Sequence, residues 1–225
     1  MSMRPFYRVS AAALLIMLAA SAWGLIQVGP DATVPVHWNV NGDPDGYASA
    51  LAAFAITPLI GLAVVGLLAI VPRIEPRRMN LQRSADAYRT VAIALVVLVV
   101  VVHLAVVLAA VGTPVPMGLL VGASVGVLFV IIGNVLGTVR SNFMFGVRTP
   151  WTLSSDRAWD RTHRLVGRLF VAAGLLLIPL AVTGQMALVV VVMLVFVVAI
   201  LVTAVAYSYR VWRDDPDRRP LGGAE

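Results

Sequence analysis

The chain has 225 residues, 60% of them hydrophobic and only 12% charged, with a mean hydropathy of +0.92. A soluble domain carries about 25% charged residues, so this chain cannot cover an apolar core with polar surface, and lipid has to do the covering. The net charge of +6 comes entirely from arginine and points to a membrane surface rather than to direct nucleic-acid binding, and the absence of cysteine excludes disulfides and thiolate metal sites.

The first predicted span is Val9–Val28, preceded by Arg4 and Arg8. Its basic start and the small-residue stretch Ala20-Ser21-Ala22 look like a signal peptide. The apolar run continues through Trp23-Gly24-Leu25-Ile26-Gln27-Val28, longer than a signal core, so the span is expected to be retained. The segment after it contains Pro35, His37, Trp38, Asn41-Gly42, Asp43-Pro44-Asp45-Gly46 and Tyr47. Asn-Gly and Asp-Pro-Asp-Gly are turn sequences, and the amphipathic rings of Trp38 and Tyr47 suit a headgroup boundary. His37 with Asp31, Asp43 and Asp45 matches no metal-loop spacing, and turn aspartates ordinarily serve the backbone. No metal or cofactor is assigned.

The second span, Leu51–Val71, holds Pro58, which is expected to kink or locally unwind it. An arginine-rich segment follows, with Arg73, Arg77, Arg78, Arg83 and Arg89. The third span, Val91–Val111, places His103 near its middle. An ionisable side chain at that depth is a functional candidate by default. No Asp, Glu, Lys or Arg lies in the middle of another span to serve as a second proton station. His103 is therefore either a neutral, hydrogen-bonded residue or a ligand or proton site.

The fourth span, Met117–Val139, carries Gly118, Gly122, Gly126, Gly133 and Gly137 near one face. Such a face lets another helix approach closely, and packing within the chain is expected rather than a dimer seam. The next loop is polar and aromatic. Thr149-Pro150 blocks helix at Thr149; Ser154 or Ser155 then caps a new helix, with Asp156 in its first turn. On that helix Trp159 and His163 share a face, and Asp160 is placed to pair with Arg164. The helix runs into the fifth span, Leu165–Thr183, which contains Pro179. The sixth span is Met186–Tyr207. The tail, Arg210–Glu225, is charged and rich in Pro and Gly and is expected to be disordered.

Each span has about the 20 residues needed to cross a hydrocarbon core, and helices satisfy backbone groups within their own segment. The fold class is thus an all-α integral membrane protein with six transmembrane helices. All 17 arginines fall before the first span, after the sixth, or in or next to the two loops that follow the second and fourth spans. The positive-inside rule makes that side cytoplasmic and puts both ends there. Anionic lipids are the expected partners of that face.

Two of these loops resemble known sequences. Gly133-Asn134, Asn142, Gly146-Val147-Arg148-Thr149-Pro150-Trp151-Thr152, Trp159, Thr162-His163 and Gly167 resemble the signature of the SdpI family, bacterial membrane proteins associated with immunity to a secreted toxin peptide. Pro35, His37, Trp38, Gly42, Asp45 and Tyr47 resemble an N-terminal two-helix module of unknown function often fused to that domain. The resemblance implies two parts, residues 1–75 and 76–225, in a multi-pass protein of the bacterial cytoplasmic membrane. It implies a non-enzymatic role: protection against a toxin peptide, together with signalling by holding a cytoplasmic repressor at the membrane. The binding or latch candidates it brings forward are Asn134, Asn142, Arg148, Thr149, Pro150, Trp151, Trp159, Thr162 and His163. The alternative is a small transporter or permease subunit using His103 and the proline-containing helices. Three histidines, no cysteine and no nucleophile–base pair leave little for covalent catalysis.

Overall fold

The computed structural model describes residues 1–219. Six helices are long and apolar enough to cross a membrane, one for each predicted span. They are α1 (Arg4–Val28), α2 (Ala50–Ile74), α4 (Ala85–Ala110), α5 (Met117–Leu136), α7 (Asp156–Val182) and α8 (Met186–Arg213). Two short helices lie between them, α3 (Arg78–Arg83) and α6 (Pro150–Ser154). The chain is a multi-pass membrane protein. Five of the six long helices have 25 to 28 residues, beyond the ~20 that span the hydrocarbon. Pro58 and Pro179 sit inside continuous helices, so neither unwinds its span.

The segment between α1 and α2 is an antiparallel hairpin, β1 (Thr33–Trp38) with β2 (Pro44–Ser49). Asn39 closes its turn by accepting from the amides of Asn41 at 2.8 Å and Asp43 at 3.1 Å. Gly42 supplies a φ of +88°, a backbone conformation that glycine adopts at little cost. The turn sequences were legible, but the strands were not, because Pro35 interrupts the first run. The ladder accommodates that proline next to an irregularity in register between Pro35 and His37. Val34 buries its side chain among Ala50, Phe54 and Val106, which fixes the hairpin on the bundle.

The helices pack in two groups. Helix α4 packs against α1 and α2, and on another side against α5; α5 packs closely on α7, and α7 on α8. The α5 glycines make the α5–α7 seam. A Cβ on Gly133 would lie 2.5 Å from the carbonyl oxygen of Gly167, and one on Gly122 would lie 3.0 Å from Ala181 Cβ. The glycine face thus serves packing within the chain, as its spacing predicts.

The start of the chain and Arg219 lie at the same end of the bundle. Arg89 donates to the carbonyl of Ser2 at 2.8 Å, and the amide of Arg219 donates to the carbonyl of Ser154 at 2.9 Å. This loop end is opposite the hairpin end. The disorder expected of the tail does not hold for Arg210–Arg213, which continue α8, nor for Asp214–Arg219. Asp215 is buried and accepts from the Ser155 hydroxyl at 2.5 Å, so the tail is held by the α7 cap. Residues 220–225 of that tail lie outside the described residues.

Candidate functional site

The loop from Gly137 to Ser155 is built almost entirely from side chain to backbone hydrogen bonds. Helix α5 ends at Leu136, three residues short of the predicted limit, because Val139 leaves the helix to meet α7. Its carbonyl accepts from Trp159 Nε1 at 2.7 Å, and both residues are buried. Asn142 is fully buried and uses its whole amide. Its Oδ1 accepts from the amides of Met144 (3.0 Å) and Phe145 (2.7 Å); its Nδ2 donates to the carbonyls of Arg140 (2.8 Å) and Phe145 (2.9 Å). No other side chain of that size offers two acceptor and two donor directions at one end.

His163 and Trp159 lie one turn apart on α7 and stack, with ring centroids 4.0 Å apart and planes 20° from parallel. His163 Nδ1 donates to the carbonyl of Trp159 at 2.8 Å, and its Nε2 accepts from the amide of Val147 at 2.9 Å. An amide facing Nε2 requires a lone pair there, so these partners fix a neutral ring with its proton on Nδ1. Gly146 lies over the same rings. Its φ is +118°, and a Cβ would stand 2.5 Å from His163 Nε2 and 3.2 Å from Trp159 Cζ2. Only glycine fits.

Thr149 caps α6 in a reciprocal box. Its hydroxyl accepts from the Thr152 amide at 3.1 Å, and the Thr152 hydroxyl accepts from the Thr149 amide at 2.9 Å. Pro150 occupies the first turn, where a missing N–H costs nothing. The Thr152 hydroxyl donates to the Val147 carbonyl at 2.8 Å, and Thr149 reaches Ser208 of α8 at 3.1 Å. Trp151 meets Tyr209 of α8 edge-on at 5.2 Å. Ser155 caps α7 by accepting from the Ala158 amide at 2.8 Å, with Asp156 in the first turn as predicted. Asp160 does not pair with Arg164; it faces Arg140, 4.0 Å away on the preceding loop. Thr162 is fully buried, and its hydroxyl has no hydrogen-bond partner among the described residues. Asn134 is exposed near the end of α5, and its side chain makes no hydrogen bond among the described residues.

Arg148, like Arg140, is an exposed charge of this frame. One guanidinium nitrogen donates to the Phe143 carbonyl at 2.8 Å. That single bond leaves most of its five donors available.

The sequence reading missed what holds the loop from the other side. Glu75, at the end of α2, is fully buried and accepts from the Arg77 amide at 2.7 Å and the Phe143 amide at 3.1 Å. Arg77 donates to the Ser141 hydroxyl at 2.5 Å and the Leu153 carbonyl at 3.1 Å, and its guanidinium lies 4.6 Å over the Phe143 ring. Asn80 donates to the Ser141 carbonyl at 2.8 Å, and Ser84 accepts from the Arg140 amide at 2.8 Å. A buried carboxylate needs such donors to offset its lost hydration. One signal was available. Glu75 is the single acidic residue among the arginines between Arg73 and Arg83, with Pro72 and Pro76 on either side.

The other two candidate sets lie elsewhere. At the hairpin end, His37 Nδ1 and Asp45 Oδ1 are 2.5 Å apart on adjacent strands, and both side chains are largely exposed. Gly46 permits this, since a Cβ there would stand 2.8 Å from His37 Cβ. Pro35 pairs with Tyr47 across the hairpin, Trp38 packs against the core under it, and Gly42 forms its turn.

His103 is fully buried about two turns from the hairpin end of α4. Its Nε2 lies 3.0 Å from the Met17 carbonyl and 3.2 Å from Ser21 Oγ, and its Nδ1 lies 2.7 Å from Thr57 Oγ1. Helices α1, α2 and α4 therefore meet at this ring.

Comparison with known proteins gives two separate matches. Residues 138–209 match the SdpI/YfhL protein family, and residues 12–62 match a domain of unknown function (DUF1648). The chain is 28% identical over 116 residues to the "Immunity protein SdpI" of Bacillus subtilis (strain 168). That match spans 51% of this chain and 56% of the relative, so it covers about half of each. No solved structure matches the chain. The resemblance carried by the loop motif is borne out: the stretch matching the SdpI/YfhL family takes in most of the interlocked loop with α7 and most of α8, and the stretch matching DUF1648 takes in the hairpin with parts of α1 and α2.

Proposed function

We propose that this protein is a non-enzymatic immunity protein of the bacterial cytoplasmic membrane, protecting the cell against a secreted toxin peptide. In this reading the hairpin faces outward and the arginine-rich loop end faces the cytoplasm, as the positive-inside rule requires. The loop end is also the surface that would hold a cytoplasmic repressor when toxin is bound. The observation that carries the reading is where the family match falls. Residues 138–209 contain Asn142, Gly146, Thr149, Thr152, Trp159 and His163, the residues whose hydrogen bonds and stacking interlock to hold Arg148 at the surface. A frame this heavily bonded, with the Arg148 guanidinium exposed on it, suits recognition better than catalysis.

Survival under a cognate toxin tests this reading. Arg148→Lys is expected to abolish protection, because lysine lacks the planar fork that bonds a carbonyl and a second acceptor together. Arg157→Lys, exposed and outside the family signature, is expected to leave protection intact. Both variants must first be shown to reach the membrane in equal amounts. If Arg148 only grips headgroups, it contributes about 1 kcal/mol and lysine substitutes well; equal survival of the two variants would then remove Arg148 as a recognition residue.

A further inference from the structure

An apolar groove of about 450 Å³ runs under the Phe145–Thr149 stretch of the loop. Helices α4, α5, α7 and α8 line it, and its size falls in the ~300–1,000 Å³ range of small-ligand sites. Its inner wall is formed by buried Leu136 and Ile200, and its outer edge by Leu201 and Val205, which are 60% and 49% exposed. No acidic side chain lines it, and its one charge is Arg148.

We propose that this groove is a binding site for an anionic phospholipid of the surrounding bilayer, with an acyl chain against α8 and the phosphate on Arg148. Three observations select that occupant. The exposed edge on α8 lets a chain enter sideways without leaving the hydrocarbon. Charge complementarity requires an anion at the loop-end mouth, where one Arg148 nitrogen is used by the Phe143 carbonyl and the rest of the fork is open. The groove is too apolar for a free phosphate, because Arg148 and Thr149 are its two polar side chains and the Thr149 hydroxyl is engaged by Ser208 and Thr152. The roof adds a consequence. Val147 is tied to His163 and Thr149 to Ser208, so an occupied groove braces the loop from below.

The site can be tested on the purified full chain in a non-ionic detergent, whether or not the protein confers immunity. Dihexanoyl phosphatidylglycerol, dihexanoyl phosphatidylcholine and inorganic phosphate are titrated separately, with thermal unfolding as the readout. Phosphatidylglycerol is expected to bind about fivefold tighter than phosphatidylcholine, the ratio that one interfacial arginine supplies. Phosphate alone is expected to leave the transition unmoved. Arg148→Gln should equalise the two lipids. Val205→Trp, at the exposed edge and so tolerated by the fold, should weaken both by obstructing the groove, whereas Val195→Trp, exposed on α8 away from it, should not. Equal binding of the two lipids by the parent protein, a response to phosphate alone, or no effect of Val205→Trp would each overturn the proposal. So would a groove that takes an apolar peptide but neither lipid.

Discussion

The two buried imidazoles on α4 and α7 differ in what their partners do without them. If His163 is replaced, the Val147 amide has no other acceptor, because it sits in a loop rather than in a helix or strand ladder. His163→Phe keeps a ring to stack on Trp159 but strands that N–H, at a cost of about 1–3 kcal/mol. The partners of His103 are already provided for. Ser21 donates to the Phe54 carbonyl at 2.8 Å, Thr57 reaches the Ala53 carbonyl at 3.3 Å, and the Met17 carbonyl belongs to the α1 ladder. His103→Leu is therefore expected to stay within about 1 kcal/mol of the parent, since an apolar replacement that leaves nothing unpaired is nearly neutral. Thermal unfolding of both variants in detergent measures the contrast. Loss of protection in a stable His103→Leu protein would then assign the residue a functional role, while unchanged protection would make it a packing element. The Trp159–His163 pair was legible because four-residue spacing on a helix fixes a shared face. The partners of His103 were not, because Met17, Ser21 and Thr57 meet it only through the relative rotation of three helices.

The α5–α7 seam is the tightest contact between elements, and its register comes from glycines on both sides. Gly133 opposes Gly167, and Gly126 opposes Gly174, seven residues along each helix in opposite directions. A Cβ on Gly126 would lie 2.8 Å from Ile178 Cγ1 and 3.1 Å from the Gly174 carbonyl oxygen, so backbone as well as a side chain opposes it. Gly133→Ala and Gly126→Ala are accordingly expected to destabilise the protein by about 1–3 kcal/mol, the usual cost of overpacking. Gly66→Ala is the internal control. Its site on α2 is open, with nothing within 4 Å of the added atom, and removing a mid-helix glycine there should gain about 0.5–1 kcal/mol. Denaturation in detergent, compared across the three variants, checks the ordering. Half of this seam could be read in advance, since the α5 glycines recur on one face. Gly167 and Gly174 are only two residues on α7 and show no stripe until α5 is laid against them. The hairpin and α6 escaped notice for a related reason: both are shorter than the windows over which apolar periodicity speaks, and each rests on one side-chain device, Asn39 in the turn and the Thr149–Thr152 box.

At the scale of the whole molecule, the chain is polarised along the bundle axis. The hairpin occupies one end. The other gathers the start of the chain, α3, the Gly137–Ser155 loop and the tail to Arg219, and there Glu75 and Arg77 clamp the loop to the end of α2. The partners of that clamp could not be read from the sequence, because Glu75 reaches the Phe143 amide 68 residues away and Arg77 the Leu153 carbonyl 76 residues away. The polarity itself was visible, since arginine placement is a count that needs no side-chain geometry. The direction of insertion is the prediction on which the functional reading depends, for a secreted peptide must meet the outward face and a repressor the inward one. The chain has no native cysteine, so single cysteines report without interference. Asn41→Cys, exposed at the hairpin tip, and Arg157→Cys, exposed at the loop end, are the informative pair. In intact cells an impermeant thiol reagent is expected to label Asn41→Cys alone; after permeabilisation it should label both. Reaction of Arg157→Cys in intact cells would invert the protein. It would place the interlocked SdpI/YfhL loop on the side from which a toxin arrives, and the repressor-holding role would have to be abandoned.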